Sequence, residues 1–186
     1  PEAMTTRPSP RTEQQPMAFV WREFWRGAVA TWITFNALFL LVTTVVLTIM
    51  SRSLQGFFSI LFLVAWFQLV FVVAISALAT VVGGAAAYGL GRLLRTVASM
   101  RRHLVFFAGL GLVVGGLVIA IVAAWPVSET EEFGTLLRHI TEPFIALPLL
   151  GVSAVSVAYG WYWTASRALL DDPAPQMEIA EAQLAD

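Results

Sequence analysis

The stretch Ser53 to Gly91, SLQGFFSILFLVAWFQLVFVVAISALATVVGGAAAYGLG, runs for 39 residues without a charge. As one helix it would be about 58 Å long, against a hydrocarbon core of about 30 Å. It therefore reads either as a single overlong span or as a tight hairpin of two short ones. The arginines choose between these, because basic residues collect on the cytoplasmic side. With a single span, Arg7, Arg11, Arg22, Arg26, Arg92, Arg95, Arg101, Arg102 and Arg167 fall inside, and only Arg52 and Arg138 fall outside. A hairpin turns nine against two into five against six, so one span is expected, with surplus helix continuing through Arg92 and Arg95.

Three more uncharged stretches flank it: Gly27 to Ser51, Leu104 to Ser128 and Pro143 to Ser166, of 25, 25 and 24 residues. Each exceeds the roughly 20 residues that cross a bilayer as a helix. The whole chain of 186 residues is 58% hydrophobic and 12% charged, about half the charge of an ordinary soluble domain. The expected fold is an all-α integral membrane protein: a four-transmembrane-helix bundle, N-in and C-in, with spans at about 27–51, 57–91, 104–125 and 143–166.

The ends and loops complete the division. Residues 1–16 hold Pro1, Pro8, Pro10 and Pro16 among polar residues, too little apolar area to offset the entropy of ordering, and read as a disordered tail. Residues 1–3 precede Met4, the first methionine, and are left out of the fold reasoning. From Met17, the residues Trp21, Phe24 and Trp25 oppose Arg22, Glu23 and Arg26, as in a short helix at the headgroup level. The apolar run that follows is too long for a secretory signal and ends in Met50-Ser51-Arg52 without a small-residue cleavage site, so it is expected to be retained. After the third span, Ser128 and Glu131 match a capping box, and Phe133, Leu136, Leu137 and Ile140 repeat at helical spacing. A short amphipathic helix is expected in that outer loop. Residues 171–186 form an acidic C-terminal tail.

Composition also limits the chemistry. There is no cysteine and no lysine, which removes thiolate, disulfide and Schiff-base chemistry and argues against a four-span thiol oxidoreductase. No Asp, Glu, Arg or His lies deep in any span, where an ionisable group would mark a proton relay or an ion-coupled carrier. The two histidines, His103 and His139, are expected at opposite faces of the membrane. No catalytic, metal or cofactor residues are assigned, and no nucleic-acid partner is expected. The deep amides Asn36 and Gln68 are the candidate polar intramembrane groups; they either line a pathway or set helix register through interhelical bonds. Arg92, Arg95, Arg101 and Arg102 are the candidate lipid-headgroup or topology residues. Small residues mark candidate packing faces: Gly109, Gly116 and Ala120 on one side of the third span, Gly111 and Gly115 on another, and Gly151, Ala154 and Ala158 on the fourth.

These readings favour a small non-enzymatic accessory or interaction module that packs with itself or with another membrane protein. A small oligomeric transporter or channel, with a polar path near Asn36 and Gln68, is the alternative. All eleven basic residues are arginine, the bias of a GC-rich bacterial genome, so the expected location is the bacterial cytoplasmic membrane. Orientation has a direct test. A cysteine placed at Thr135 should react with an impermeant maleimide in intact cells, and one at Ala98 should not; labelling at both would mean dual insertion.

Overall fold

The computed structural model describes residues 11, 12, 14–52, 54–124 and 141–171, and in them the chain is helical with no strand. Helix α1 covers Trp21–Ser51. A single 3-10 turn at Leu54–Gly56 leads into α2, Phe57–Phe67. A π turn at Gln68–Val72 joins α2 to α3, Val73–Leu94. Helices α4, Met100–Ala124, and α5, Pro143–Asp171, follow. Four of these runs are long and apolar enough to cross a membrane: Trp21–Ser51, Leu54–Leu94, Met100–Ala124 and Pro143–Leu170. The chain has the make-up of a multi-pass membrane protein.

The second run is one continuous helix of 41 residues. Gln68 and Val73, at the two ends of the π turn, keep right-handed helical dihedrals, so nothing reverses the chain there. The first helix begins at Trp21, six residues before the uncharged run, and takes the aromatic segment into the span itself. Its start is fixed by the Glu23 carboxylate, which accepts a 3.0 Å bond from the Val20 N–H. Its end is Arg52, whose φ of 51° is the left-handed conformation usual just beyond a helix. Helix α5 starts on a proline, where the missing N–H is no loss, and runs through Pro148 without interruption. The outer-loop helix expected over Ser128 to Ile140, and the tails 1–10 and 172–186, lie outside the described residues.

The helices form an open arc. Helix α1 packs along α5 on one side and along α2 and α3 on the other; α5 packs along α4; α4 meets α3 only sparingly. The two long contacts are glycine crossings, as expected where close backbone approach replaces the hydrophobic effect. At the first, a Cβ on Gly27 would lie 2.8 Å from Thr164 Oγ1, and one on Gly160 would lie 2.8 Å from the Gly27 carbonyl. At the second, a Cβ on Gly111 would lie 2.6 Å from the Ser153 carbonyl, and one on Gly115 would lie 2.7 Å from Ser153 Oγ. Gly109 and Gly151 border open space instead.

This difference predicts opposite behaviour for two neighbouring glycines. Gly111→Leu should destabilise the protein by about 1 to 3 kcal/mol, the usual cost of overpacking. Gly109→Leu should stay within about 0.5 kcal/mol of wild type, as a surface change does. Thermal melts of both variants in a detergent that keeps the protein monomeric make the comparison; equal losses would place the α4–α5 crossing elsewhere.

Candidate functional site

The polar residues of the first two spans form one knot. Asn36 Nδ2 donates to the Trp32 carbonyl at 2.9 Å and to Ser76 Oγ at 3.1 Å. Trp32 Nε1 also donates to Ser76 Oγ, at 3.1 Å. From the other helix, Gln68 Nε2 donates to the Asn36 carbonyl at 2.7 Å and to Asn36 Oδ1 at 3.2 Å. Ser76 passes its own proton to the Val73 carbonyl, and Thr80 donates to the Ser76 carbonyl. Gln68 and Ser76 are both buried, and Gln68 Oε1 is left without a partner.

The π turn is what lets Gln68 and Ser76 reach the same asparagine. Eight steps along an α-helix rotate by about 800°, which sets two such residues about 80° apart around the axis. One extra residue taken up in a π turn removes about one step of that rotation and brings them within about 20° of each other. The π turn thus brings Ser76 beside the two amides.

Behind the knot lies a cleft of about 250 Å³. Helices α1 and α5 line it with Phe35, Phe39, Ser153 and Val157, and the sparingly packed α3 and α4 line it with Ile75 and Val114. Its surface is overwhelmingly apolar. Two of the hydroxyls along it, those of Ser153 and Ser156, donate to the carbonyls of Leu149 and Val152, one turn back. Trp161 and Thr164 also contribute to its lining, but their polar atoms are turned into the protein. Trp161 Nε1 and Thr164 Oγ1 are buried without a partner, three residues apart on α5.

The arginine-rich end of the bundle is closed by a strap of residues 11, 12 and 14–20, which composition alone assigns up to Pro16 to the tail. Arg11 pairs with Glu23 at 3.0 Å and donates to the Ala168 carbonyl at 3.4 Å. The Met17 N–H donates to the Arg95 carbonyl, and the Met17 side chain is buried. Phe19 occupies the notch left by Gly91, where a Cβ would lie 2.6 Å from its ring, and packs edge-on against Tyr88 and Trp161. Next to it, His103 is fully buried and lies parallel to Trp161 with ring centroids 5.3 Å apart. Its Nε2 is 2.8 Å from the Val97 carbonyl and its Nδ1 has no partner. Phe107 stacks on the same indole at 4.4 Å. Farther along α5, Arg167 lies over the Trp163 ring at 4.8 Å, a cation–π contact.

The structure brings some of the residues chosen from the sequence together and leaves others apart. Asn36 and Gln68 bond to each other. Gly111, Gly115 and Ala154 meet at the α4–α5 crossing. Gly116 has only the tip of Leu150 nearby, at 3.9 Å from a built Cβ, Ala120 is exposed, and Ala158 is half-buried. Arg92, Arg101 and Arg102 are exposed around the α3–α4 connection, and Arg95 is half-buried under the strap. Among the described residues, no three His, Cys, Asp or Glu side chains come together as a metal site would need. Sequence reasoning missed the Gly27–Gly160 crossing. Its signal was present as Gly27-x-x-x-Thr31 on α1 and Gly160-x-x-x-Thr164 on α5, the small-residue spacing of close helix pairs.

Compared with protein-family models, curated proteins and solved structures, the chain matches none. The functional reading therefore rests on this geometry alone.

The knot makes a quantitative prediction. Asn36→Leu and Gln68→Leu should each cost about 1 to 2 kcal/mol, as interhelical hydrogen bonds in membranes do. Because the two amides share bonds, the double variant should lose less than the sum. Melting of the two single variants and the double in one detergent tests this; losses that add within about 0.3 kcal/mol would mean the amides act separately.

Proposed function

We propose that this is a small non-enzymatic multi-pass membrane protein that works as an interaction or accessory module, packing with itself or with another protein of the membrane. The observation that carries this reading is the uncovered small-residue surface. Gly109 of α4 and Gly151 of α5 have nothing within 4 Å of a built Cβ, and Ala120 is exposed. A glycine on a lipid-facing helix surface gives up side-chain packing, and its use there is to let another backbone come close. The same two helices show what such residues do when covered, at Gly111, Gly115 and Gly160.

Two further features support the reading. The deep amides are engaged with each other and with Trp32 and Ser76, so their donors are taken up by helix contacts. The four exposed or half-exposed arginines around the α3–α4 connection suit an anionic leaflet, with about 1 kcal/mol of attraction for each basic residue near the surface. On this reading the module sits with its arginine-rich end at the inner face of a bacterial cytoplasmic membrane.

The absence of native cysteine makes cross-linking a clean test. Ala120→Cys in native membranes should give a disulfide-linked dimer, or a bifunctional reagent should link it to a second protein. Leu63→Cys, on the exposed side of α2, should give only background. If Ala120→Cys stays at the Leu63→Cys level, and Gly109→Leu leaves the particle size in mild detergent unchanged, the interaction reading fails.

A further inference from the structure

Helices α3 and α5 do not pack along each other, although both end at the arginine-rich side of the bundle. What joins them there is the strap. Phe19 fills the notch at Gly91 of α3 and meets the Trp161 ring of α5 edge-on, with centroids 5.6 Å apart. The polar bonds repeat the arrangement: the Met17 N–H goes to the carbonyl of Arg95, the residue that ends α3, and Arg11 goes to the Ala168 carbonyl in the last turn of α5. Carbonyls at a helix C-terminus have no partner within the helix and carry the negative end of its dipole, so an N–H and a guanidinium are the groups suited to them. One segment thus caps two helices whose own surfaces stay apart.

The strap is also built to leave. Glu23 Oε2 accepts from both Arg11 Nη2 and the Val20 N–H, each at 3.0 Å, so the carboxylate keeps a donor when Arg11 departs. The Arg95 and Ala168 carbonyls lie at helix ends, where water takes the place of the strap. Val20, the joint with α1, is exposed and extended, with φ of −94° and ψ of 159°, so the strap can swing without unwinding the helix. What opposes departure is the burial of Met17 and the seat of Phe19. Without the strap α3 stays on α1, through Ser76 near the middle and Tyr88 against Trp21 and Phe24, but its tie to α5 is gone.

We propose that the strap is a two-position clasp that sets the gap between α3 and α5. Docked, as in this structure, it holds the arginine-rich ends of the two helices together and walls off that end of the cleft, which Arg11, Met17 and Phe19 line. Released, it lets the two ends part and opens the cleft there. The clasp makes no use of the uncovered glycines, so it and the interaction reading can fail separately.

The test uses the full-length protein in phosphatidylcholine nanodiscs, where introduced cysteines are the only ones present. Met17→Cys reports release, because its thiol is reached by a maleimide only when the strap is off; it should react slowly in the native background, and about tenfold faster with Arg11→Gln, the low end for losing a hydrogen bond to a charged group. Phe107→Cys, 3% exposed in the core, should stay inert in both. Spin labels at Leu93→Cys and Leu169→Cys, exposed near the ends of α3 and α5, report the gap, and a pair at Phe58→Cys and Leu147→Cys reports the opposite end of the bundle. Phe19→Ala and Arg11→Gln should each lengthen the Leu93 to Leu169 distance by about 4 Å, one layer of atoms in contact, and leave the other pair unchanged. Met17→Cys no more reactive than Phe107→Cys would make the strap a fixed part of the bundle and overturn the proposal. So would an unchanged Leu93 to Leu169 distance in both variants, or equal broadening of the two pairs, which would make the strap a support for the whole fold.

Discussion

Helices in hydrocarbon gain nothing by hiding apolar side chains from one another, so this fold depends on how closely its backbones can come. Helix α5 is where that constraint is met twice. Gly160 admits α1 on one side, and the Ser153–Ala154 segment receives Gly111 and Gly115 of α4 on the other. The remaining long helix, α2 with α3, has no such crossing and is held to α1 by hydrogen bonds instead. Two modes of attachment therefore produce one asymmetric object: a tight three-helix core of α1, α5 and α4, and a fourth strand of helix fastened along one edge. The cleft is the direct result, since a helix anchored mainly to α1 touches α4 only sparingly on its other flank.

The distribution of polarity follows the same logic. A bilayer offers no water to deep polar groups, and each must find a partner in the protein. In the first two spans the partners are found across the helix pair, which makes Asn36 and Gln68 a fastener. In α5 the serines turn back on their own helix, which leaves the wall of the cleft smooth. Trp161 and Thr164 depart from that pattern at the end where the aromatic cluster of Phe19, Tyr88, His103 and Phe107 closes the bundle, as Thr43, Thr44 and the Gln68 carbonyl do in the first two spans.

Much of this architecture was legible in the residues, because the strongest physical signals in a membrane protein are one-dimensional. Uncharged length gave four spans, and arginine asymmetry selected one long helix for Ser53 to Gly91, which the continuous run Leu54–Leu94 now shows. Pairing was less legible. Asn36 and Gln68 stood out by cost, but a π turn places Ser76 beside them, and a one-residue change of register leaves no mark in composition. Among the glycines, Gly109 and Gly111 look alike in sequence; only the neighbouring Ser153 carbonyl separates them. The strap was hidden for a related reason. Arg11, Thr12 and residues 14–16 are too polar to order themselves, and Arg11 is held by partners, Glu23 and Ala168, that sequence proximity does not suggest.

That strap also constrains how the molecule is made. Its Arg11 reaches the Ala168 carbonyl across 157 positions of chain, and Phe19 rests on Gly91 and Trp161. A segment made before every helix of the bundle therefore finds its seat only after α5 has been synthesised and inserted. Until then the Gly91 notch stands open and the indole of Trp161 has not arrived. Docking of the strap thus reports completion of the bundle, and its release would distinguish a finished molecule from one whose fourth span never entered the membrane.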